Sequence, residues 1–408
     1  MKVVIVGAGQ AGGWTARTLR DSGFNGEVVL IGEEDHPPYQ RPPLSKEVLL
    51  GVRPPESTYL WPAGTGVDFR AGARALRVDR RLKRLEMSDQ STLDYDKLVL
   101  ATGGRVRRLD IAGAHYIRTI EDTMQLRAAL LTKRKVIVVG GGWIGLEAAV
   151  AARALGCAVT VVEAADRLCG RVMPEFVSGY LLRLHERHGV DIRLSETFQR
   201  QSEATVIVGI GIVPNVELAH EAGLQVSNGI VVDEFGMTSD SDIFAVGDVA
   251  NLNGVRLESW ANAQNQAVAA AKTLAGTPSP YREIPWFWSN QYHVNMQFLG
   301  LPQPGQTLVV RGDPAQDKFT VFFLEGTLLK AVVAANNMRD IRVAKRLIER
   351  FLAQPDTRIA LAAPTGKAAA RMAEALRGSL HDPRAPEELR LAPQILRDKV
   401  DAIRPVTI

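Results

Sequence analysis

Two glycine clusters carry the most legible chemistry in this 408-residue chain. The first, Gly7-Ala8-Gly9-Gln10-Ala11-Gly12, follows the apolar run Lys2-Val-Val-Ile-Val, and the second, Gly140-Gly141-Gly142-Trp143-Ile144-Gly145, follows Lys135-Val-Ile-Val-Val. Glycines at this spacing make a tight turn, let backbone approach a pyrophosphate and let the next helix pack close to its strand. Gly7 permits the turn, Gly9 the close approach and Gly12 the helix packing, so that the phosphates meet a helix N-terminus. An acidic residue follows the second strand of each unit. Glu33 comes after Glu27–Ile31, and Glu163 ends the strand beyond Gly156 and Val159. Each is placed to accept hydrogen bonds from a ribose. Glu163 would repel a 2′-phosphate and favours NADH over NADPH, while Arg167, close by, keeps the phosphorylated form open. Two complete fingerprints 133 residues apart imply two bound dinucleotides; the alternative is one working site and one degenerate copy.

Such loops need a parallel α/β scaffold, and the flanking sequence supplies one. Ala16 and Leu19 give the first helix its apolar face and Gly23 ends it. Asp96 to Gly103 reads as a buried strand closing in the small-residue turn Ala101-Thr102-Gly103, and Ile243-Phe-Ala-Val-Gly-Asp248 as another. The apolar stretch Val136 to Val162 contains Glu147, Arg153 and several glycines, which argues for a buried strand–helix–strand and against a membrane span. Hydrophobic residues at 46% and charged residues at 23% suit a soluble globular protein, and a net charge of +4 is too small to argue for nucleic acid.

Only two cysteines occur, with no CxxC spacing, so neither a disulfide scaffold nor a cluster ligated by this chain is expected. Cys157 reads as packing, and Cys169 as exposed but without a base. His185 and His188 have helical spacing but no third ligand, so a solvated face is expected rather than a metal. No GxSxG nucleophile occurs. The first apolar run is too short for a signal-peptide core, and a cytoplasmic location is expected.

Three further segments, Pro38-Tyr-Gln-Arg41-Pro-Pro-Leu-Ser45-Lys46, Glu258-Ser-Trp260-Ala-Asn-Ala-Gln-Asn-Gln266 and Pro285-Trp-Phe-Trp288-Ser-Asn-Gln291, narrow the reading. Over roughly residues 1–354 the chain resembles the ferredoxin reductases of bacterial ring-hydroxylating dioxygenases, a group related to putidaredoxin reductase and apoptosis-inducing factor. The resemblance implies an α/β fold of two Rossmann-like, glutathione-reductase-like dinucleotide domains plus a C-terminal α+β interface domain. It implies FAD at the first fingerprint, with Ala101, Thr102, Gly103, Arg41, Lys46 and Trp260 around it and Asp248 on the ribityl chain. NADH falls to the second, with Gly140, Gly142, Ile144, Gly145, Glu147, Glu163, Gly209 and Gly211. It also implies that Lys46 pairs with Glu147 near the flavin N5 and that Trp288 lies beside the isoalloxazine. The plain alternative for Lys46 and Glu147 is an exposed ion pair of little consequence; Trp286 is expected in the core.

Nicotinamide gives two electrons as one hydride, a [2Fe–2S] cluster takes one at a time, and a flavin converts between them. Two nucleotide sites without a redox cysteine pair therefore suggest NADH to FAD to an external acceptor. Ser45 stands where thiol-dependent relatives carry their cysteine. The expected partner is an acidic, transiently bound [2Fe–2S] ferredoxin feeding a terminal dioxygenase. Alternatives are a reductase for a P450 ferredoxin or rubredoxin, and a flavoprotein with a mainly binding role like apoptosis-inducing factor. Arg311, Arg339, Arg342 and Lys345 are candidates for the partner's contact face.

The expected domains are FAD-binding (1–108 and 234–288), NADH-binding (109–233) and C-terminal (289–354). The last is to be built from strands Thr307–Arg311, Phe319–Leu324 and Leu328–Ala334 before a helical stretch Ile341–Leu352. Four features depart from the family. Gln40 and Asn290 stand where it carries acidic residues. Only ten residues separate Val190–Leu194 from Thr205–Gly209, where the family has a small β-meander, and this puts the NADH domain in question. Residues 355–408 are atypical. Arg358 to Arg371 resembles a segment of recombination helicases, yet Leu361 and Ala368 break the Walker A pattern. A helix from Lys367 to Arg377 and a Pro-rich tail are expected there.

Overall fold

A computed structural model describes residues 1–60, 66–132, 135–199, 203–326 and 328–353, with the pairs 362–363 and 406–407. The expected 367–377 helix and the rest of the tail lie outside the described residues.

The N-terminal sheet has the order Ile243–Ala245, Lys97–Leu100, Lys2–Val6, Glu27–Ile31, Asp68–Arg70, all parallel. Its strands are apolar on both faces because both are covered. Val3, Ile5, Val28, Leu30 and Val99 pack under the helices Gln10–Asp21 and Trp260–Leu274. The alternate residues Val4, Val6, Val29 and Leu98 face an antiparallel meander of three short strands between Ala75 and Asp94.

The second sheet, Asp191–Leu194, Ala158–Glu163, Lys135–Val139, Thr205–Val208, is also wholly parallel. Thr205–Val208 pairs in register with Val136–Val139, so the sheet closes although the connection from Leu194 is short. Ten extended residues reach roughly 33 Å, ample for the crossing.

The third unit is an antiparallel sheet of Trp286–Gln291, Val294–Leu299, Leu328–Ala335, Lys318–Glu325 and Thr307–Asp313. The helix Met338–Ala353 covers one face through Ile341, Ala344 and Ile348. Phe298, Phe319 and Phe323 on the other face pack against Leu146, Tyr180, Leu181 and Leu184 of the second unit.

The unit boundaries differ from those expected. Gly104–Val106 and Ile212–Pro214 pair as a two-stranded antiparallel ribbon, one carrying the chain out of the first unit and the other bringing it back. Ala219, Leu224, Ile230 and Val232 already belong to the first unit's core, so the return lies near 212 rather than 234. The elements there, Glu217–Glu221 and Ile230–Val232, are too short for a sequence period to assign. A boundary at 289 would cut the strand Trp286–Gln291, whose pairing with Val294–Leu299 places it in the third unit.

Candidate functional site

At the first glycine loop, Gly7 has φ +108°, and a Cβ there would lie 2.2 Å from the Ala101 carbonyl oxygen. A Cβ on Gly12 would lie 1.8 Å from the Gly7 oxygen, so the helix is seated directly on the turn. Gly9 is open: its only neighbour within range is the Arg41 guanidinium, 4.0 Å from a built Cβ. Gly9 is also the helix N-cap, and no side chain caps the helix. An uncapped helix N-terminus behind bare backbone, facing a guanidinium, fits a pyrophosphate.

Arg41 does not stand alone. It donates to Glu34 at 2.6 Å, to the Tyr39 hydroxyl at 2.7 Å and to the Arg118 carbonyl. Burial alone would lower the Arg41 pKa, but Tyr39 and Glu34 together raise it; the Arg118 guanidinium is lowered, by burial and then by Arg41. Arg118 lies 3.6 Å from Asp248, in the turn after the strand Ile243–Ala245. Each of the two guanidiniums is thus matched by a carboxylate, Arg41 by Glu34 and Arg118 by Asp248. Thr102 and Asn215 exchange hydrogen bonds of 2.7 and 2.9 Å, and Gly103 takes φ +59°.

Glu33 is exposed, with its carboxylate 3.4 Å from Arg74. At the second loop a Cβ on Gly141 would touch the Glu163 Cβ; at the first, the Ala8 Cβ touches Gly32. Gly32 therefore occupies the place of Glu163, and Glu33 stands one residue beyond it.

The second loop repeats the backbone and changes the decoration. Gly140 has φ +104° and a Cβ on Gly145 would lie 2.1 Å from the Gly140 oxygen. Gly142 is an open N-cap, where a Cβ would lie 3.7 Å from the Gly209 oxygen, and Ile144 is exposed beside it. The Glu163 carboxylate accepts the Gly141 N–H at 2.7 Å and the Ala165 N–H at 2.8 Å, which fixes it over the loop. Arg167 is turned away, bound to the Met173 and Gly170 carbonyls. Gly211, φ +95°, borders the far side near Arg171. Cys169, expected to be exposed, is buried, with its thiol against the Gly141 carbonyl. Burial pushes this thiol far up, so it is inert.

Between the loops, Lys46 Nζ lies 2.6 Å from Glu147 Oε2, and the pair is buried rather than exposed, at 14% and 4% of side-chain surface. The same oxygen accepts from the Ser45 hydroxyl at 2.5 Å, and Oε1 accepts from Ser289 at 2.6 Å. Lys46 comes from the turn after Pro42–Ser45, Glu147 from the helix Trp143–Ala154 and Ser289 from the third unit, so all three units meet at one carboxylate. Beside them, Trp288 stacks on Trp286 at 5.2 Å and meets Trp260 edge-on at 5.7 Å. Trp286 is thus half-buried in this aromatic wall as well as packed in the third unit's core. Gln264 Oε1, on the Trp260 helix, is buried without a hydrogen-bond partner, which fits an acceptor kept for a bound ring. Asn290 accepts from Asn295 at 2.6 Å, a role the family's acidic residue could equally fill. Gln40 remains half-buried.

His185 is not on a solvated face. It is fully buried, because its helix Glu175–Arg187 lies beneath the third sheet, and it hydrogen-bonds Gln291 and Tyr292 at 3.2 Å each. Among the described residues no group of three His, Cys, Asp or Glu side chains could hold a metal, and no helix is long and apolar enough to cross a membrane. Sequence reasoning missed Arg118, Ser289, Gln291 and His185. Ser289 and Gln291 sit inside a segment already singled out for its tryptophans, but nothing marked Arg118.

A family model described as pyridine nucleotide-disulphide oxidoreductase matches residues 1–267, and one described as reductase C-terminal matches 286–367. The anthranilate 1,2-dioxygenase system ferredoxin–NAD(+) reductase component of Burkholderia cepacia is 45% identical over 396 residues, spanning 89% of this chain and 97% of that protein. Rhodocoxin reductase of Rhodococcus erythropolis is 42% identical over 381 residues, spanning 85% and 89%. Among solved structures, the covalent putidaredoxin reductase–putidaredoxin complex matches with a TM-score of 0.81 at 38% identity, covering 85% of this chain and 92% of that one.

Proposed function

The chain belongs to the pyridine nucleotide-disulphide oxidoreductase family, and from that premise we propose that it is an FAD-dependent NADH:ferredoxin reductase serving an aromatic ring-hydroxylating dioxygenase from the cytoplasm. The observation that carries this reading is the buried Lys46–Glu147 pair between two pyrophosphate loops, with Ser45 in place of a thiol and both cysteines buried. Disulfide chemistry has no nucleophile here, so electrons leave to an external acceptor.

When bound, FAD accepts a hydride and releases its electrons singly. The overall reaction balances as NADH plus two oxidised ferredoxins giving NAD⁺, two reduced ferredoxins and one proton. Arg41, Arg118 and the Gly9 helix N-terminus would hold the flavin nucleotide's phosphates, with Glu33 for its ribose, Asp248 for its ribityl chain and Ala101 to Gly103 lining the same site. Gly142, Gly145, Gly209 and Gly211 frame the NADH site, where Ile144 offers apolar surface and Glu163 reads the ribose hydroxyls. Lys46 holds an ammonium where electron density grows on reduction, and Glu147 keeps it in place. Trp260 and Trp288 wall the flavin side against water. Arg311, Arg339, Arg342 and Lys345, exposed on the third unit, offer a basic face to an acidic ferredoxin.

The test is anaerobic. NADH should bleach the flavin bands at far lower concentration than NADPH, and a [2Fe–2S] ferredoxin should restore them faster than air does. A flavin that reoxidises faster in air than with ferredoxin refutes the acceptor. P450 ferredoxins and rubredoxins assayed in parallel rank the alternatives.

A further inference from the structure

The Glu147 carboxylate is the end of a hydrogen-bond chain that runs away from both nucleotide loops. Ser289 has one hydroxyl proton, and it points to Glu147 Oε1 at 2.6 Å, so Ser289 must accept from Gln291 Nε2 at 2.9 Å. The Gln291 amide then presents its oxygen to His185 Nε2 at 3.2 Å, which must donate. His185 Nδ1 is left to accept from the Tyr292 hydroxyl at 3.2 Å. Every donor in the series points toward Glu147. Ser289, Gln291 and His185 are each at most 1% exposed, so the three bonds from His185 to Glu147 are shielded from water.

We propose that Ser289, Gln291 and His185 are positioning residues that lock the Glu147 carboxylate in rotation and, through it, hold the Lys46 ammonium at the redox centre. Lys46 and Ser45 both bond Oε2. With Oε1 bare, the carboxylate could turn about its last bond and carry the ammonium with it; Ser289 removes that freedom. The chain orients and does not conduct, because the Gln291 amide cannot pass a proton without leaving its stable tautomer. Burial lowers the His185 pKa to about 4, so the ring stays neutral and keeps one donor and one acceptor in working conditions. The effect crosses domains: His185 belongs to the second unit, Ser289 and Gln291 to the third, and Lys46 to the first.

This inference rests on the flavin reading above, and one experiment separates the two. Wild type, Ser289→Ala, Ser289→Thr and a Gln291→Leu/His185→Leu double variant are compared at equal bound FAD. Single-turnover reduction by NADH gives the limiting rate and half-saturation, and dye-referenced photoreduction without NADH gives the midpoint potential. In Ser289→Ala and the double variant the limiting rate should fall about tenfold, a barrier change of about 1.4 kcal/mol. Half-saturation should stay within about twofold and the potential should move negative, because the ammonium no longer favours the reduced ring. Ser289→Thr, which keeps the hydroxyl, should restore both. Rates and potentials of both deletion variants matching wild type overturn the proposal, and so does a loss seen only in half-saturation. A wild-type flavin that NADH does not bleach overturns the reading of the site itself and the proposal with it.

Discussion

The two glycine loops share a backbone and differ in what surrounds it. Gly7 and Gly140 have nearly the same φ, +108° and +104°, and each carries its helix on the same close contact through Gly12 or Gly145. The first loop lies beside two half-buried guanidiniums, Arg41 and Arg118, balanced by Glu34 and Asp248. The second has a glutamate locked over it and, at the open side of Gly142, only the Gly209 carbonyl. Charge on phosphate is a strong, unspecific hold, whereas a carboxylate accepts from neutral ribose hydroxyls and repels a 2′-phosphate. The first loop is lined by paired charges and the second by one fixed carboxylate.

The sharpest test of that contrast is Arg41→Met. Losing a buried charge-assisted contact should weaken FAD binding about hundredfold, roughly 3 kcal/mol, while NADH half-saturation at restored FAD stays near wild type. Flavin release measured by fluorescence checks this, and equal damage to both sites would erase the distinction.

A smaller effect belongs to neither loop but to the seam between the second and third units. His185 titrates near its ordinary 6.5 in the unfolded chain and at about 4 when folded. Above pH 6.5 both states are neutral and nothing is gained or lost. Between about 6.5 and 4 the unfolded chain takes up a proton that the folded chain refuses, so stability should drain away by roughly 2–3 kcal/mol as pH falls. Denaturant unfolding at pH 7, 5.5 and 4 reads this, and His185→Gln should flatten the loss.

The smallest change is expected at the second loop. Glu163→Ala should raise NADH half-saturation about tenfold, near 1.4 kcal/mol, and narrow the preference over NADPH, with FAD content unchanged. An unaltered preference would mean that Arg167 or Arg171, not Glu163, decides the nucleotide.

What could be read from the chain alone was local. Glycine spacing, the apolar strands before it and Glu163 at a strand end all lie within about one βαβ unit, so sequence distance and spatial distance agree. The first loop broke that rule slightly: the strand Glu27–Ile31 ends in Gly32, and the acidic residue comes a step late. The Lys46–Glu147 pair spans 101 residues and was reached through resemblance, with no period or spacing to reveal it. Glu147 to Ser289 spans 142 residues and His185 to Gln291 spans 106, and neither contact leaves a mark in its own neighbourhood. The reading of His185 as solvated failed for the same reason. A helix shows which face is apolar, but a polar residue under another domain's sheet looks like a surface residue until the sheet is in place.

The ribbon of Gly104–Val106 against Ile212–Pro214 has a consequence for how such molecules diversify. Because departure and return lie side by side, the intervening hundred-odd residues form a cassette with adjacent ends. Its replacement needs two neighbouring splice points and a surface matched to the other units, since Leu146, Tyr180 and Leu184 pack on the third sheet and Glu147 bonds Lys46 and Ser289. Short as the crossing between Leu194 and Thr205 is, all four parallel strands of the cassette's sheet are paired. The loop at Gly140 and its Glu163 can therefore be exchanged as a module, while the loop at Gly7 and the first sheet stay with the parent framework.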